Sequence, residues 1–593
     1  MTESADATPA RNAAAGTWLS LHCFLRCAPE ETDALLHEDL APHLDGLVAR
    51  GDASAWFFIR YDEGGPHLRV RVRDPAQDAA AGLPGALSRM AARRPAAADG
   101  GPRAADGTGR HGEVRAVPYE PETDRYGGPA ALPVAEEVFA LSSRVAVRAV
   151  ASAPRGSARL AAAIDLAHAT ALACGMDRLA AARWLRGHAA GWRWVEGVPL
   201  LAPRHVHARV NHVYAAQREA FGSRAAALWE SLGAGGGPEA ARDWHDGVRA
   251  ADLALRAGPA AGARPRVWAS QLHMLLNRLG VAPDEERAVC RLAARTLLDS
   301  AGEDAGDPYF PGGHASPDLR YLERSKFHIG REQDSAARPL PPPPPAQAPA
   351  AGAADDRQAA DGERGAPVPG LLPLPAGPLP DTPLREVLAS RVSVRGALTG
   401  PLTATTLGTL LWRAHASWHT SAPRLADGTR GLLRHRPYPS AGALYTAGIR
   451  LVALSVDGLA PGTYQCVPER RALRRVGPAP ALDDVRSLSS YLSRAPEDPD
   501  AIVPDAVPAV LGLYVDLGRL RQRYGLRALR LGLLETGHLA QTLLLTATAL
   551  GLATTPLGGF RDDLAHELLG LDDLAQPLQY LLPVGRGPQD APA

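Results

Sequence analysis

The sequence predicts two α+β domains joined by a linker, and three observations lead to this fold class. Short apolar or alternating stretches typical of strands come first, in residues 18–73, and mostly helical periodicity follows. After residue 378, apolar strand patterns alternate again with helical ones. Between these regions lies a stretch rich in Pro, Ala and Gly that cannot pack a core. The predicted organisation is therefore a domain at 15–332, a disordered linker at 333–378 and a domain at 379–590.

The composition excludes several classes of protein. A chain of 593 residues is too long for one ordinary core, so at least two domains are expected. Acidic and basic residues balance at 64 each, so no net charge favours direct binding to nucleic acid or to an anionic membrane. The N-terminus lacks the apolar core of a signal peptide. The five cysteines show no spacing typical of a metal site or disulfide framework, which fits the cytoplasm.

The first strands follow one another closely. WLSLHCFLRC at 18–27 predicts an opening strand, and the periodicity of residues 30–51 predicts a helix that ends at a glycine. AWFFIRY at 55–61 and HLRVRVR at 67–73 predict two strands around the turn DEGGP. These elements make an α+β start to the first domain.

The strand HLRVRVR places three arginines on one face. Arg69, Arg71 and Arg73 alternate with apolar residues, and like charges side by side on a strand repel each other. One explanation is a half-buried strand with a solvated face. The other is a face that binds an anion, because the planar guanidinium holds a carboxylate through two parallel hydrogen bonds.

Two later segments add further polar candidates. YEPETDRYGG holds Glu122 and Arg125 just before a glycine turn. SQLHMLLNRLG at 270–280 is helical and carries His273, although a lone histidine on such a helix is usually structural.

Together, WFFIRY…HLRVR, YEPETDRYGG and HMLLNRLG resemble the elimination domain of lantibiotic dehydratases, in the form found in thiopeptide pathways. The resemblance implies that glutamate is eliminated from a glutamylated serine or threonine, which leaves dehydroalanine or dehydrobutyrine. Arg69, Arg71 and Arg125 would bind the adduct and stabilise the departing carboxylate. Glu122 would orient an arginine or bind the glutamyl amine, and His273 would act as acid–base catalyst. The glutamylation domain of full-length dehydratases has no counterpart here, so a separate glutamyl-tRNA-dependent protein is expected.

The C-terminal region contains three segments that are weak signals alone. SRVSVR at 390–395 offers arginines and a hydroxyl to a phosphate. PSAGALY at 439–445 is a turn of small residues that a planar ligand can approach closely. The uncharged run at 539–560 predicts a buried helix followed by the turn PLGGF, and not a membrane span.

In this order, the segments resemble the nitroreductase-like flavoproteins and, more narrowly, the azoline dehydrogenases of ribosomal-peptide biosynthesis, over about residues 380–588. The resemblance implies FMN bound at a homodimer interface, with part of the site from the partner subunit. It implies that Arg391, Ser393 and Arg395 hold the phosphate and ribityl chain, and that Ser440, Ala441 and Gly442 line the flavin. Leu557, Gly558 and Gly559 would place backbone amides near the reactive flavin nitrogen. Arg586 would be a further phosphate contact.

The proton step of azoline oxidation points to RQRYGLRALR at 521–530. Family members carry a Lys-Tyr pair, and here Tyr524 matches the tyrosine while Arg523 stands in place of the lysine. Arginine stays protonated and cannot be the base. Tyr524 is therefore the candidate base, with Arg523 as its electrostatic support.

The two halves together resemble the bifunctional enzymes of lactazole-type thiopeptide biosynthesis. The expected partners are a glutamylated, azoline-containing precursor peptide, the separate glutamylation protein, a cyclodehydratase and a second copy of the chain. One alternative is an FMN-dependent nitroreductase or flavin reductase whose N-terminal half only binds peptide. Others are a non-enzymatic scaffold, or a dehydrogenase half that Arg523 leaves impaired.

Overall fold

The computed structural model describes most of both predicted domains. The described residues are 17–96, 109–153, 155–195, 197–298, 321, 370–394, 396, 398–422, 433–495, 497–498 and 501–587. The chain divides into two compact units. Among the described residues, the first unit comprises 17–189 and 212–298, and the second comprises 190–211 together with the residues from 321 onward.

The elements before residue 299 are mainly helical after an initial group of strands. In chain order they are β1 Trp18–Phe24, α1 Pro29–Ala34, a π-helical segment Leu35–Leu40, α2 Ala41–Ala49, β2 Ala55–Tyr61, β3 His67–Arg73, α3 Gln77–Ala92, β4 Val114–Ala116, a 3-10 turn Thr123–Tyr126, α4 Leu132–Ser152, α5 Ser157–Ala173, α6 Arg178–Gly191, a 3-10 turn Trp192–Trp194, α7 Pro203–Gly233 with a kink at Gln217, α8 Glu239–Ala257, a 3-10 turn Ala261–Ala263, α9 Arg264–Arg278 and α10 Pro283–Leu298.

The first unit is built on a four-stranded antiparallel sheet with the order β2-β3-β1-β4. The alternation in β3 buries Leu68, Val70 and Val72 on one face. The opposite face carries the arginines, and helices α4 and α9 pack against β2. Phe57 and Phe139 meet there with a ring-centroid distance of 5.2 Å. The arginine face is thus lined by aromatic rings instead of being open to water.

The elements after residue 369 form the second unit around a large sheet. They are β5 Leu371–Pro373, α11 Leu384–Ser390, β6 Leu402–Thr403, α12 Ala404–His415, β7 His419–Ser421, β8 Leu433–His435, a 3-10 turn Ala441–Ala443, β9 Ala447–Ala453, β10 Val456–Asp457, β11 Gly462–Val467, β12 Ala472–Gly477, α13 Leu482–Arg486, β13 Ala509–Val515, α14 Leu517–Tyr524, a 3-10 turn Gly525–Arg527, α15 Ala528–Ala549, β14 Ala553–Thr554, α16 Asp562–Leu569 and β15 Leu578–Gly585.

The seven-stranded sheet of the second unit has the order β14-β15-β13-β9-β11-β12-β5, with antiparallel neighbours throughout. The interior strand β13 is buried along its whole length because helices cover both faces. One core lies under α12 and α15, and includes Leu411 and Leu543. The other lies under α13 and α16, and includes Val485 and Leu564.

The α+β fold class predicted from the sequence is confirmed in both halves. The predicted domain and linker boundaries stay a prediction, but the structure differs from them in two details. Leu371–Pro373 forms strand β5 inside the range predicted as linker, because its leucines pair with β12 at the sheet edge. Residues 190–211 group with the second unit. Among the described helices, none has the length and apolar character needed to cross a membrane, α15 included.

Candidate functional sites

The three arginines of β3 share a face but have different surroundings. Arg73 is neutralised, with its Nη1 2.6 Å from Glu137 Oε1. Arg69 stacks on an aromatic ring, and its guanidinium carbon lies 3.4 Å from the ring centroid of Tyr61. Arg71 is buried, with 6% of its surface exposed. A solvated charge face therefore does not describe this strand.

Arg71 has donors that no described residue satisfies. Its Nε and Nη1 lack a hydrogen-bond partner among the described residues, and so does the buried hydroxyl of Ser20 directly opposite on β1. The guanidinium carbon lies 4.8 Å from the ring centroid of Tyr119 and 5.4 Å from that of Phe57. Burial lowers the pKa of Arg71 to about 10, so it stays protonated at neutral pH. Unpaired buried donors are costly, and an anion is the ligand that satisfies them.

Arg278 is a second buried arginine beside the first, and the sequence motifs did not predict it. It is the last residue of α9, and none of its surface is exposed. Its Nε donates to the carbonyl of Phe58 at 2.8 Å, while Nη1 and Nη2 have no partner among the described residues. Burial and the nearby charge of Arg71 lower the pKa of Arg278 to about 9. Its place in the segment HMLLNRLG was the only available signal, because helical arginines are usually solvated.

Arg125 lies in the 3-10 turn that precedes α4, and it forms an ion pair with Glu122, the residue just before that turn. Arg125 Nη1 is 2.8 Å from Glu122 Oε2, and its Nε donates to Ser270 Oγ on α9 at 3.3 Å. Burial works against the charge of Arg125, but the hydrogen bond to Glu122 and the charges of Tyr126 and Glu286 raise the pKa of Arg125 above its ordinary value. The turn and the helix are thereby joined through the predicted arginine.

His273 is held by a buried carboxylate. Its Nδ1 lies 2.9 Å from Glu286 Oε2 on α10, and Glu286 Oε1 lies 2.7 Å from Nε2 of His188 on α6. The side chain of Glu286 is 2% exposed. Burial alone would raise the pKa of Glu286, but the hydrogen bonds from His188 and His273 lower it to about 2. Glu286 and His188 belong to other helices and are distant from His273 in the sequence, so no local motif identifies them.

In the second unit, the turn after Tyr438 is built for a close approach. Ser440 Oγ donates to Glu535 Oε2 at 2.6 Å and accepts the amide of Tyr445 at 2.8 Å, so its hydroxyl holds the turn in shape. Ala441 and Gly442 lie within this turn, and Gly442 has a φ of +60°. A Cβ at Gly442 would stand only 2.5 Å from the hydroxyl oxygen of Tyr524, so any larger residue there would displace that side chain.

The candidate base pair lies against that same turn. Arg523 and Tyr524 end α14, and the guanidinium carbon of Arg523 is 5.7 Å from the ring centroid of Tyr524. The guanidinium carbon would also be 3.3 Å from a Cβ at Gly442. The buried Nε of Arg523 has no hydrogen-bond partner among the described residues. The structure therefore brings together two groups that the sequence analysis predicted separately.

The predicted phosphate contacts Arg391, Ser393 and Arg586 lie at the other end of the sheet. The strand partners give this separation. The turn precedes Ala447, which begins β9 and pairs with Val515. Ala453 ends β9 and pairs with Ala509, which in turn pairs with Val584, two residues before Arg586. Seven-residue β9 therefore lies between the two groups, a distance of about 20 Å at about 3.3 Å per residue.

Arg391 and Ser393 belong to the far group. They follow α11, and the next residue, Val394, donates its amide to the carbonyl of Thr554 in β14 at 3.3 Å. Arg586 exchanges backbone hydrogen bonds with Thr399 close by. Arg395 lies outside the described residues. One chain by itself does not bring the two predicted groups together.

The segment from Leu557 to Gly559 departs from its predicted role at one position. Leu557 donates its amide to the carbonyl of Leu581 at 2.8 Å and accepts that residue's amide at 3.0 Å, so its N–H is not available to a flavin. The prediction for this amide is wrong because the segment pairs with the middle of β15. The amides of Gly558 and Gly559 make no hydrogen bond within the described part of the chain, and they keep the predicted role open.

Comparisons with known proteins match both halves of the chain. Residues 18–297 match the family model described as the lantibiotic biosynthesis dehydratase C-terminal region, and residues 388–586 match the nitroreductase family. A protein of Methanocaldococcus jannaschii that is named as a nitroreductase is 33% identical over 203 residues, which is 34% of this chain and 90% of that protein. The microcin B17-processing protein McbC of Escherichia coli is 30% identical over 141 residues, which is 23% of this chain and 49% of McbC.

Two solved structures show weaker similarity. The pyridine synthase TbtD from thiomuracin biosynthesis is 22% identical, with 47% of this chain and 97% of that chain covered and a TM-score of 0.40. The tRNA-dependent lantibiotic dehydratase MibB from Microbispora is 23% identical, with 49% of this chain and 28% of that chain covered and a TM-score of 0.35.

Proposed function

Because the chain belongs to the nitroreductase family and carries a lantibiotic dehydratase C-terminal domain ahead of its nitroreductase domain, we propose that it is a bifunctional enzyme of ribosomal-peptide modification. One activity is the FMN-dependent oxidation of a thiazoline or oxazoline ring to the azole. The other is the elimination of glutamate from glutamylated serine or threonine. Both would act on one precursor peptide of the thiopeptide type.

The observation that carries the elimination activity is the pair of buried arginines with unsatisfied donors. Arg71 and Arg278 each keep two guanidinium nitrogens without a partner among the described residues, inside an aromatic environment. A glutamyl ester brings one carboxylate in its side chain and produces a second as it leaves. Donors fixed in a dry site stabilise such developing charge better than water does.

The elimination itself requires a base and an electrostatic sink. His273 would remove the α-proton of the esterified residue, the electrons would form the Cα–Cβ double bond, and the Cβ–O bond would break. The departing carboxylate would be received by the arginines, with Arg125 held in place by Glu122. Arg69, stacked on Tyr61 near the exposed edge of the same face, would guide the adduct inward.

The described residues of the second unit fit FMN, which when bound would accept the hydride of the azoline ring. Gly442 leaves a cradle that a Cβ would fill, and the Gly558 and Gly559 amides are available as donors. Arg391, Ser393 and Arg586 would hold the phosphate and ribityl chain, together with Arg395 outside the described residues. Tyr524 would act as a tyrosinate that takes the ring α-proton and becomes the neutral phenol, and the charge of Arg523 would stabilise the tyrosinate before this step.

A homodimer would complete this site from two chains. The turn at Gly442 and the group at Arg391 lie at opposite ends of the sheet within one chain. Helix α11 lies beside α15, and together they expose four leucines: Leu384, Leu388, Leu533 and Leu534. Exposed leucines clustered on neighbouring helices are typical of a protein interface. The separate partners would be a glutamylation protein and a cyclodehydratase, which would supply the glutamyl ester and the azoline.

Mass spectrometry of a synthetic peptide tests both activities at once. The peptide carries one thiazoline and one glutamyl-serine, and is incubated with the purified chain and FMN. We expect loss of two hydrogens and of one glutamate. A matched peptide with unmodified serine in place of glutamyl-serine should lose only the two hydrogens.

Each partial result has a defined meaning. Loss of two hydrogens without loss of glutamate would make the first unit a peptide-binding module. Loss of glutamate alone would place the failure at Arg523 and the proton step. No change in the presence of the expected partner proteins would refute the proposal.

A further inference from the structure

We propose that Glu286 is a positioning residue for His273 and that His188 fixes Glu286 for this task, so that three helices supply a His-Glu-His relay to the elimination site. The inference rests on the proposed elimination activity. It concerns two residues that none of the family motifs contains.

The geometry fixes the orientation of the catalytic imidazole. Since Nδ1 of His273 lies 2.9 Å from Glu286 Oε2, Nδ1 carries the proton that is donated to the carboxylate. Nε2 is then the nitrogen with the lone pair, which is the one a base needs. The side chain of His273 is 26% exposed whereas that of His188 is 8% exposed, so only His273 extends toward substrate.

The second histidine has a different task. His188 Nε2 lies 2.7 Å from Glu286 Oε1, so the two carboxylate oxygens are engaged by imidazoles from α6 and α9. A buried carboxylate that had only one partner would be free to rotate and would be poorly compensated. The contact with His188 therefore locks the carboxylate plane in the direction of His273.

The charge of Glu286 supports proton transfer as well as geometry. When His273 takes the α-proton of the substrate, it becomes an imidazolium, and the buried carboxylate 2.9 Å away stabilises that cation. The proton ends on Nε2, the electron pair forms the double bond, and glutamate leaves as a carboxylate. The proton then passes to solvent. Besides the two histidines, the charged and titratable groups that face Glu286 include Arg125 in the 3-10 turn and Cys290 on the same helix.

A purely structural role is the competing explanation, because Glu286 also ties α6, α9 and α10 together. The two roles differ in what they change. A structural tie affects stability, whereas a positioning carboxylate affects kcat and its pH dependence. The chain offers a matched control: Asp252, a buried carboxylate on α8 that accepts from Arg256, Arg264 and Trp268 away from the site.

The experiment compares Glu286→Gln, His188→Asn, His273→Ala and Asp252→Asn in the full chain with a glutamylated peptide. Glutamine keeps the shape of Glu286 and one acceptor oxygen but removes the charge and replaces the second acceptor with an NH2 donor. We expect Glu286→Gln to lower kcat for elimination at least about 100-fold with little change in KM. The acidic limb of its kcat–pH profile should move to lower pH, because the imidazolium has lost its counter-charge. His188→Asn should lower kcat less, and Asp252→Asn should leave it unchanged.

The controls separate the possible failures. Azoline oxidation by each variant, together with its thermal unfolding, reports whether the chain is folded. If wild type and Glu286→Gln eliminate glutamate at the same rate while His273→Ala does not, the relay is refuted and the proposed function stands. The relay is likewise refuted if Glu286→Gln lowers the unfolding temperature and leaves kcat for elimination unchanged. If wild type itself releases no glutamate, the proposed function fails, and the relay fails with it.

Discussion

The two candidate sites differ in how much of each a single chain assembles. In the first unit, one chain brings together buried arginines, an ion-paired arginine and a carboxylate-held histidine from a strand, a turn and three helices. In the second unit, the turn at Gly442 and the group at Arg391 lie about 20 Å apart at opposite ends of one sheet. The difference teaches that one chain assembles the groups of the first site, whereas the groups predicted for the second site would need a second chain to meet.

The largest effect is expected at the buried arginine of the first site. Arg71→Met keeps the aliphatic stem and removes two donors that have no partner among the described residues. We expect elimination to fall about 100- to 1,000-fold, as when a donor to developing charge is lost. Arg73→Met is the matched control on the same strand face, because Arg73 is already paired with Glu137. The measurement is the rate of glutamate release, followed by mass spectrometry. An equal loss of rate in Arg71→Met and Arg73→Met would favour a general effect of charge on the strand.

The next effect concerns the proton step of the second site. Tyr524→Phe removes the hydroxyl that lies against Gly442, and we expect azoline oxidation to fall about 100-fold. Arg523→Gln should cause a smaller fall, since the guanidinium supports the charge without exchanging a proton. Absorbance of the azole product gives the rates, and elimination by the first unit is the internal control. An unchanged rate in Arg523→Gln would show that this residue has no part in the chemistry.

A mixing experiment tests whether two chains share the second site. Gly442→Leu fills the cradle at one end of the sheet, and Arg391→Glu repels a phosphate at the other end. Each variant alone should be inactive in oxidation. Co-expression of the two with different tags should restore about a quarter of wild-type activity, because about half of the dimers are mixed and each mixed dimer has one intact site. An inactive mixed dimer, isolated through both tags, would show that each site is built within one chain.

The smallest effect is a pH dependence of stability in the first unit. The pKa of Glu286 is lowered from 4.5 to about 2, so its charged form stabilises the folded state above pH 4.5, and this contribution is lost as the pH falls toward 2. The full contribution is about 3 kcal/mol. Urea unfolding followed by hydrogen exchange in α9 and α10 should show this loss in wild type and little of it in Glu286→Gln. A parallel acid response in both proteins would contradict the assigned shift.

The sequence by itself determined the parts of the molecule that depend on local periodicity. Alternation placed Arg69 and Arg71 on one face of β3, and both the strand and its face are found in the structure. The small residues of PSAGALY predicted the turn that Gly442 permits with its positive φ. Such features follow from backbone geometry over a few residues, so a single stretch of sequence contains them.

Only the tertiary structure decided which distant groups meet. The partners Glu286 and His188 come to His273 from other helices, and the burial of Arg278 depends on the packing of α9 on β2. The amide of Leu557, which the motif predicted to lie near the flavin, donates to the carbonyl of Leu581 instead. The register of the paired strands likewise put Gly442 and the predicted phosphate contacts at opposite ends of the sheet. These outcomes depend on long-range packing, in which buried charges and backbone groups must find partners from the whole chain, and no local pattern encodes that choice.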